Sequence, residues 1–507
     1  MYLHNQELRK QIEFLLTVSK ENYMRVLLIN ASNDTDTKDT FATFPNGLLF
    51  LAAVLENNGH EVKIYDTSVD DRHPDDFVAF DPKIVGFSVL TGPYIANALA
   101  QSERFKKLLP EAKIVWGNVH SSLTPGQVIN ESCVDYVIVG AGEQTLLELV
   151  EHLEDGFDNL EQIKGLVYKK GDQVLTNEPR PFIVNLDELP DPAWHLINVK
   201  KYWAISLNTS RGCPFHCSFC YNGPYHQGYR GEFSVDRIVG QITTLQKNFG
   251  VKYLRFLEDN FTANRKRLRA FCQVLIDKKI KLKWDCEARA DLSESDIALM
   301  ARAGCVAVGL GVETGSQRLL SFLEKDVDLA RIEKTFWTLL AYKIKPNLYI
   351  MEALPSETIE DFNMTQQFLK RLDYPSYIYR RFVPSPGTRL FDYCVDRGHF
   401  KPPVTPIQWA DFSARAPFEI NLSEVPTPLI DNALADYAQT YTWRRLRFTL
   451  RHNPSYFKDV VLHPREFIRA LVRLFKCSSL HTTPIMNIRS SISGFHLQQN
   501  ETAINPT

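Results

Sequence analysis

Three of the nine cysteines in this chain fall within eight residues, in Ser210-Arg211-Gly212-Cys213-Pro214-Phe215-His216-Cys217-Ser218-Phe219-Cys220. Their spacing is C-x3-C-x2-C. Thiolates this close serve soft metals, and three of them can hold three irons of a four-iron cluster, leaving the fourth iron open to a ligand. Zinc held by the same thiols with His216 is the competing reading, although zinc sites more often pair C-x2-C units and no second pair exists here. The other six cysteines are scattered, which does not suit a disulfide scaffold.

A second set of residues is defined by small or polar side chains at strand ends. The segments Phe87–Gly92, Trp116–His120 and Val139–Glu143 each follow an apolar run, and they bring Ser88, Thr91, Gly117, Val119, Gly140, Gly142 and Glu143 to strand ends. Such positions leave room for a bulky flat ligand beyond a parallel sheet; tight turns alone are the competing reading.

The elements that must carry these loops follow an alternating pattern. Strands are expected at Arg25–Asn30, Glu61–Tyr65, Lys83–Val89, Ala112–Trp116 and Asp135–Val139, with a helix over Gly47–Glu56. Short apolar strands separated by helices predict a doubly wound, Rossmann-like parallel sheet. Beyond the proline-rich Leu189-Pro190-Asp191-Pro192, six more strands are expected near Tyr202–Asn208, Val251–Leu257, Lys281–Cys286, Cys305–Leu310, Pro346–Glu352 and Ser376–Phe382. Six βα units are too few for a full eight-stranded barrel, so the prediction is a partial (β/α)6 TIM-like barrel with the cysteine loop at its mouth. Ser234 and Gly250 bracket one intervening helix, with Ile238, Ile242, Leu245 and Phe249 on one face.

The fold class is therefore α/β, with a mostly helical C-terminal extension. The expected domains are an N-terminal helix over 1–23, the sheet domain over 24–155, a connector over 156–197, the barrel over 198–410, the extension over 411–477 and a loose tail over 478–507. Segment 441–476 is basic and carries Phe467, Ile468, Leu471 and Leu474 at helical spacing. A solvated helix packed on the barrel is favoured there over peripheral contact with lipid or an anionic substrate. With 507 residues and a net charge of −2, the chain is multidomain and has no global basic field for nucleic acid. No apolar run approaches a membrane span, and the N-terminus lacks a secretory core, which predicts a cytoplasmic protein.

The C-x3-C-x-Phe-C loop after the first strand of a partial barrel resembles the signature of radical S-adenosylmethionine (SAM) enzymes. The upstream domain is similar to the cobalamin-binding domain that precedes the barrel in one large subgroup, matching it at Pro45-Asn46-Gly47-Leu48, Gly117, Val119-His120 and Gly140-Ala141-Gly142-Glu143. The resemblance implies a [4Fe-4S] cluster on Cys213, Cys217 and Cys220, and cobalamin over Ser88, Thr91, Gly117, Val119, Gly140, Gly142 and Glu143. It implies S-adenosylmethionine against Phe219 (adenine), Glu258 in Glu258-Asp259-Asn260 (amino group), Arg289 (carboxylate or substrate) and Glu313 in Gly311-Val312-Glu313-Thr314-Gly315-Ser316 (ribose).

Two departures stand out. The family's G-L-P-G-E-T reads Ala353-Leu354-Pro355-Ser356-Glu357-Thr358 here, which puts the local backbone shape in question. No D-x-H-x-x-G follows the first strand, and Asp71-Arg72-His73 sits after the second, so no lower histidine ligand for cobalamin is offered. The activity implied is reductive cleavage of S-adenosylmethionine to a 5′-deoxyadenosyl radical for cobalamin-dependent methylation of an unactivated carbon in a small molecule. An electron donor such as flavodoxin or ferredoxin would feed it. A radical cyclase or ring-rearranging enzyme is the alternative, and a corrinoid- or zinc-binding regulatory protein the non-enzymatic one. Methylthio transfer fits poorly, since only Cys133 precedes Cys213.

Overall fold

The computed structural model describes residues 23–31, 42, 44–155, 159–375, 377–412 and 420–452. The expected N-terminal helix, the apolar stripe at Phe467–Leu474 and the tail fall outside the described residues.

Apolar runs too short for helices become buried strands. β1 (Arg25–Asn30), β2 (Glu61–Asp66), β3 (Ile84–Ser88), β4 (Lys113–Gly117) and β5 (Tyr136–Ile138) form a parallel sheet in the order β2-β1-β3-β4-β5. The direction of winding reverses between β1 and β3, the place where open α/β sheets bind ligands. The stretch 156–197, expected as a connector, also contributes to this sheet: β6 (Leu166–Lys170) and β7 (Gln173–Thr176) add to β5 as an antiparallel hairpin. Further along, between Leu186 and Trp194, it is packed down at several residues. Leu186, Leu189, Ala193 and Trp194 are buried, and Ala193 N donates to Leu49 O on the helix Asn46–Asn57 at 3.1 Å.

The second half is a six-stranded parallel sheet in chain order. Its strands are β8 (Ser206–Leu207), β11 (Tyr253–Phe256), β12 (Lys283–Arg289), β13 (Cys305–Glu313), β14 (Lys345–Glu352) and β15 (Tyr377–Arg381). No pairing joins β8 to β15 among the described residues, as an open partial barrel requires. A small antiparallel ribbon, β9 (Ser210–Arg211) with β10 (Gly231–Glu232), closes the stem of the cysteine loop. The helix Val235–Phe249 starts on the Ser234 hydroxyl, which accepts from Arg237 N, and ends at Gly250 with φ 68°. Ile238, Ile242 and Leu245 are buried as the spacing predicts, whereas Phe249, in the last turn, is 38 % exposed.

The halves share one apolar core. Phe44 meets Tyr202 edge-on at 5.1 Å and Phe50 stacks on Phe233 at 5.7 Å. A second seam lies on the far side of the first sheet, where Trp409 Nε1 donates to Gln127 Oε1 at 2.8 Å and its ring packs near His120. The helix Thr427–His452 covers the end of the barrel, placing Tyr437 on Tyr377 at 4.2 Å. Among the described residues no helix is long and apolar enough to cross a membrane.

Candidate active site between the sheet and the barrel

A cavity of about 690 Å³ opens between the carboxyl ends of the two sets of strands. Cys213, Cys217 and Cys220 line it, half-buried, together with Phe219, Glu258, Arg289 and Glu313. From the opposite side come Ser88, Gly117, Val119, Gly140, Gly142 and Glu143. Thr91 is the exception among the expected residues. Its hydroxyl turns to His120 Nδ1 at 3.3 Å, behind the loop, and does not reach the cavity.

The cysteine loop is held by its backbone. Ser218 N donates to Leu323 O and Leu390 N to Ser218 O, both at 3.0 Å, while Arg230 donates to Gly212 O at 2.9 Å. Gly212 has φ 78°, and a Cβ there would sit 2.0 Å from Tyr229 O, so the turn into the motif accepts only glycine. Burial pushes the Cys220 thiol up to about 11 and raises that of Cys213, so both are protonated near neutrality until a cation displaces the proton. His216 is exposed and faces an outer groove rather than the cavity, which removes it from any shared site with the three thiols. Among the described residues no three His, Cys, Asp or Glu groups converge as they would on a single metal ion.

Buried charges around the loop have specific partners. Arg289 lies 3.8 Å over the Phe215 ring and 3.7 Å from Cys217 Sγ, and donates to the carbonyls of Lys325 and Asp326. Glu258 accepts from Thr209 Oγ1 at 2.5 Å; its Oε2 takes no hydrogen bond and has Arg267 at 3.7 Å. Burial raises the Glu258 carboxyl above its ordinary range. Glu143 is ion-paired with Arg211, tying the first sheet to the cysteine stem. Tyr225 repeats that link by donating to Gly140 O at 3.3 Å. Asn46 Nδ2 reaches both Ser206 Oγ and Asn208 Oδ1 at 3.0 Å, which gives Pro45-Asn46-Gly47 a role in joining the halves.

Comparison with known proteins follows this division. Residues 207–369 match the radical SAM superfamily and residues 37–150 the B12 binding domain. An uncharacterized methyltransferase of Pyrococcus horikoshii is 31 % identical over 386 residues, covering 73 % of this chain and 83 % of the relative. The chain belongs to the radical SAM superfamily. The anaerobic magnesium-protoporphyrin IX monomethyl ester cyclase of Cereibacter sphaeroides is 25 % identical, over 83 % of this chain and 71 % of that one. The fold is shared with the radical S-adenosylmethionine methyltransferase TsrM of Kitasatospora setae, solved with cobalamin and a [4Fe-4S] cluster. Its TM-score is 0.64 at 18 % identity, over 74 % of this chain and 75 % of that one. S-adenosylmethionine with its cluster, and cobalamin, are thus the cofactors of the two matched domains.

Several residues of the radical SAM cavity have no counterpart among the expected positions. Asn222 Nδ2 points at Cys220 Sγ at 3.7 Å, while its Oδ1 is held by His226 Nδ1 at 2.8 Å. Glu287 accepts from Arg255 at 2.8 Å and from the Tyr349 hydroxyl at 2.9 Å on the barrel floor. Lys325 is ion-paired with Glu313 at 2.5 Å. His73 lies in a surface network with Asp75 and Arg104, and His120 is buried behind the cavity wall; neither lines the cavity. At the two positions where the family's motif has glycine the backbone is left-handed, with Ala353 at φ 55° and Ser356 at φ 67°, a region glycine enters without cost.

Proposed function

We propose that this chain is a cobalamin-dependent radical SAM methyltransferase acting on a small molecule, fed by a one-electron donor such as flavodoxin or ferredoxin. A reducing cytoplasm suits its free thiols. The observation that carries the reading is the single cavity lined by the cysteine loop on one side and by the small-residue sheet edge on the other. When bound, the cofactors supply the electron that splits S-adenosylmethionine into methionine and a 5′-deoxyadenosyl radical, and the methyl group for the substrate.

The chain's own residues fit these groups. Cys213, Cys217 and Cys220 offer three soft donors and leave a fourth position open. Arg289, fixed by two carbonyls, presents a buried cation suited to a carboxylate, and Glu258 Oε2, which takes no hydrogen bond and has Arg267 at 3.7 Å, suits an ammonium. Phe219 and Glu313 flank the space for the nucleoside. Ser88, Gly117, Val119, Gly140 and Gly142 give the corrinoid a wall with little side-chain bulk, Glu143 anchors it to Arg211, and Phe182, Ile183 and Leu186 of the connector line the same cavity. The cyclase relative supports a second reading in which the same radical is used without methyl transfer; the mass of the product separates them.

Replacing all three cysteines with Ala is expected to remove the iron, close to four atoms per chain after anaerobic reconstitution, and to abolish release of 5′-deoxyadenosine. Stoichiometric zinc in the reconstituted wild type would overturn the reading.

A further inference from the structure

Lys325 is buried at 5 % exposure and lines the cavity, which is unusual for a residue type that prefers water. Its ammonium bonds Glu313 Oε1 at 2.5 Å, leaving two of three N–H groups, and lies 5.8 Å from the centre of the Phe219 ring. The backbone is shaped to deliver it. Glu324 and Asp326 on either side have φ 52° and 48°, and Glu313 has φ 69°. Gly311 makes room, because a Cβ there would lie 2.5 Å from Glu313 Oε1 and 2.6 Å from Lys325 Nζ. Arg289 then fixes the loop through the carbonyls of Lys325 and Asp326.

Stability does not account for this arrangement. A buried ion pair is often replaceable by apolar residues without loss, and left-handed non-glycine residues cost free energy. Strain of this kind gathers where a group must be presented to a ligand. We infer that Lys325 is a further binding residue, which holds Glu313 and with it recognises the ribose hydroxyls of the nucleoside through its free N–H groups. This rests on the reading of Glu313 as the residue facing the ribose. A carboxylate accepts and an ammonium donates, so together the pair satisfies both halves of a hydroxyl; a lone carboxylate satisfies only one.

The test uses the cluster-loaded, unreduced chain and calorimetric binding of 5′-deoxyadenosine and its 2′-deoxy analogue. The wild type is expected to prefer the first by about tenfold, the low end of the range for one hydrogen bond to a charged group. Lys325→Met is expected to lose that preference, and Lys325→Arg to keep most of it. Retained preference in Lys325→Met, with loss in Glu313→Gln, overturns the role of Lys325 alone. No preference in the wild type overturns the placement of the ribose as well. Amine labelling of the wild-type chain covers the case in which Lys325→Met does not fold. 5′-Deoxyadenosine should slow modification of Lys325 severalfold, and an unchanged rate overturns the inference.

Discussion

Across the cavity from one another, the barrel wall presents Arg211, Glu258, Arg289, Glu313 and Lys325, while the sheet wall presents Leu28, Gly86, Gly117, Val119 and Gly140. The first wall works through side chains that are present, each with a named partner. The second works through side chains that are small or apolar. Removing atoms should therefore damage the barrel wall, and adding atoms the sheet wall. In the function proposed above, the difference separates recognition of a small charged molecule from accommodation of a large flat one.

The largest effect is expected from Gly117→Trp. A Cβ at Gly117 would meet nothing nearer than Ile138 at 3.8 Å, so the backbone tolerates the change while the indole fills the crevice. Gel filtration after loading with hydroxocobalamin should show no retained corrinoid and an unchanged iron content; retained corrinoid would break the contrast between the walls. Next is Glu313→Ala, which deletes a cavity-lining carboxylate and strands Lys325. It should lower the rate of 5′-deoxyadenosine formation by roughly 10- to 100-fold, the range for a lost charged hydrogen bond, with corrinoid uptake intact.

A smaller effect concerns stability behind the sheet wall. Burial lowers the pKa of His120 from 6.5 to about 4, so the fold holds the neutral ring. The unfolded chain takes up a proton first as the pH drops. The contribution is thus whole above about 6.5 and is lost as pH falls from there towards 4. Thermal midpoints should decline across that window, and His120→Gln should flatten the decline. Smallest is Ala353→Gly, which relieves a left-handed alanine but frees the unfolded chain and gives up a buried methyl. Its net change should stay within about 1 kcal/mol, read by chemical denaturation.

β1 is legible in the sequence because Val26–Ile29 is an unbroken apolar run, as burial on both faces requires, while β2 (EVKIYD) and β12 (KWDCEAR) carry charges within the strand and are legible through their alternation with helices. β6 and β7 are not, because an antiparallel edge hairpin exposes Lys169, Lys170 and Val174 and shows no such run. β9 and β10 hold two residues each and depend on pairing across the cysteine loop, which no local pattern encodes. Cys213, Cys217 and Cys220 are legible because their chemistry depends on spacing along one loop. Lys325 is not: Glu324-Lys325-Asp326 reads as a charged surface run, and only the left-handed turns on either side carry it inward. Thr91 fails for the opposite reason, since its position at a strand end does not fix where its hydroxyl turns.

The central claim is that cluster and corrinoid occupy one cavity. Electron paramagnetic resonance tests it directly, on the reconstituted chain with the cluster reduced and the corrinoid in its cobalt(II) form, each then carrying one unpaired electron. A shared cavity predicts dipolar coupling that broadens both signals and disappears in Gly117→Trp. Two sharp, uncoupled signals from a chain holding both groups would contradict it.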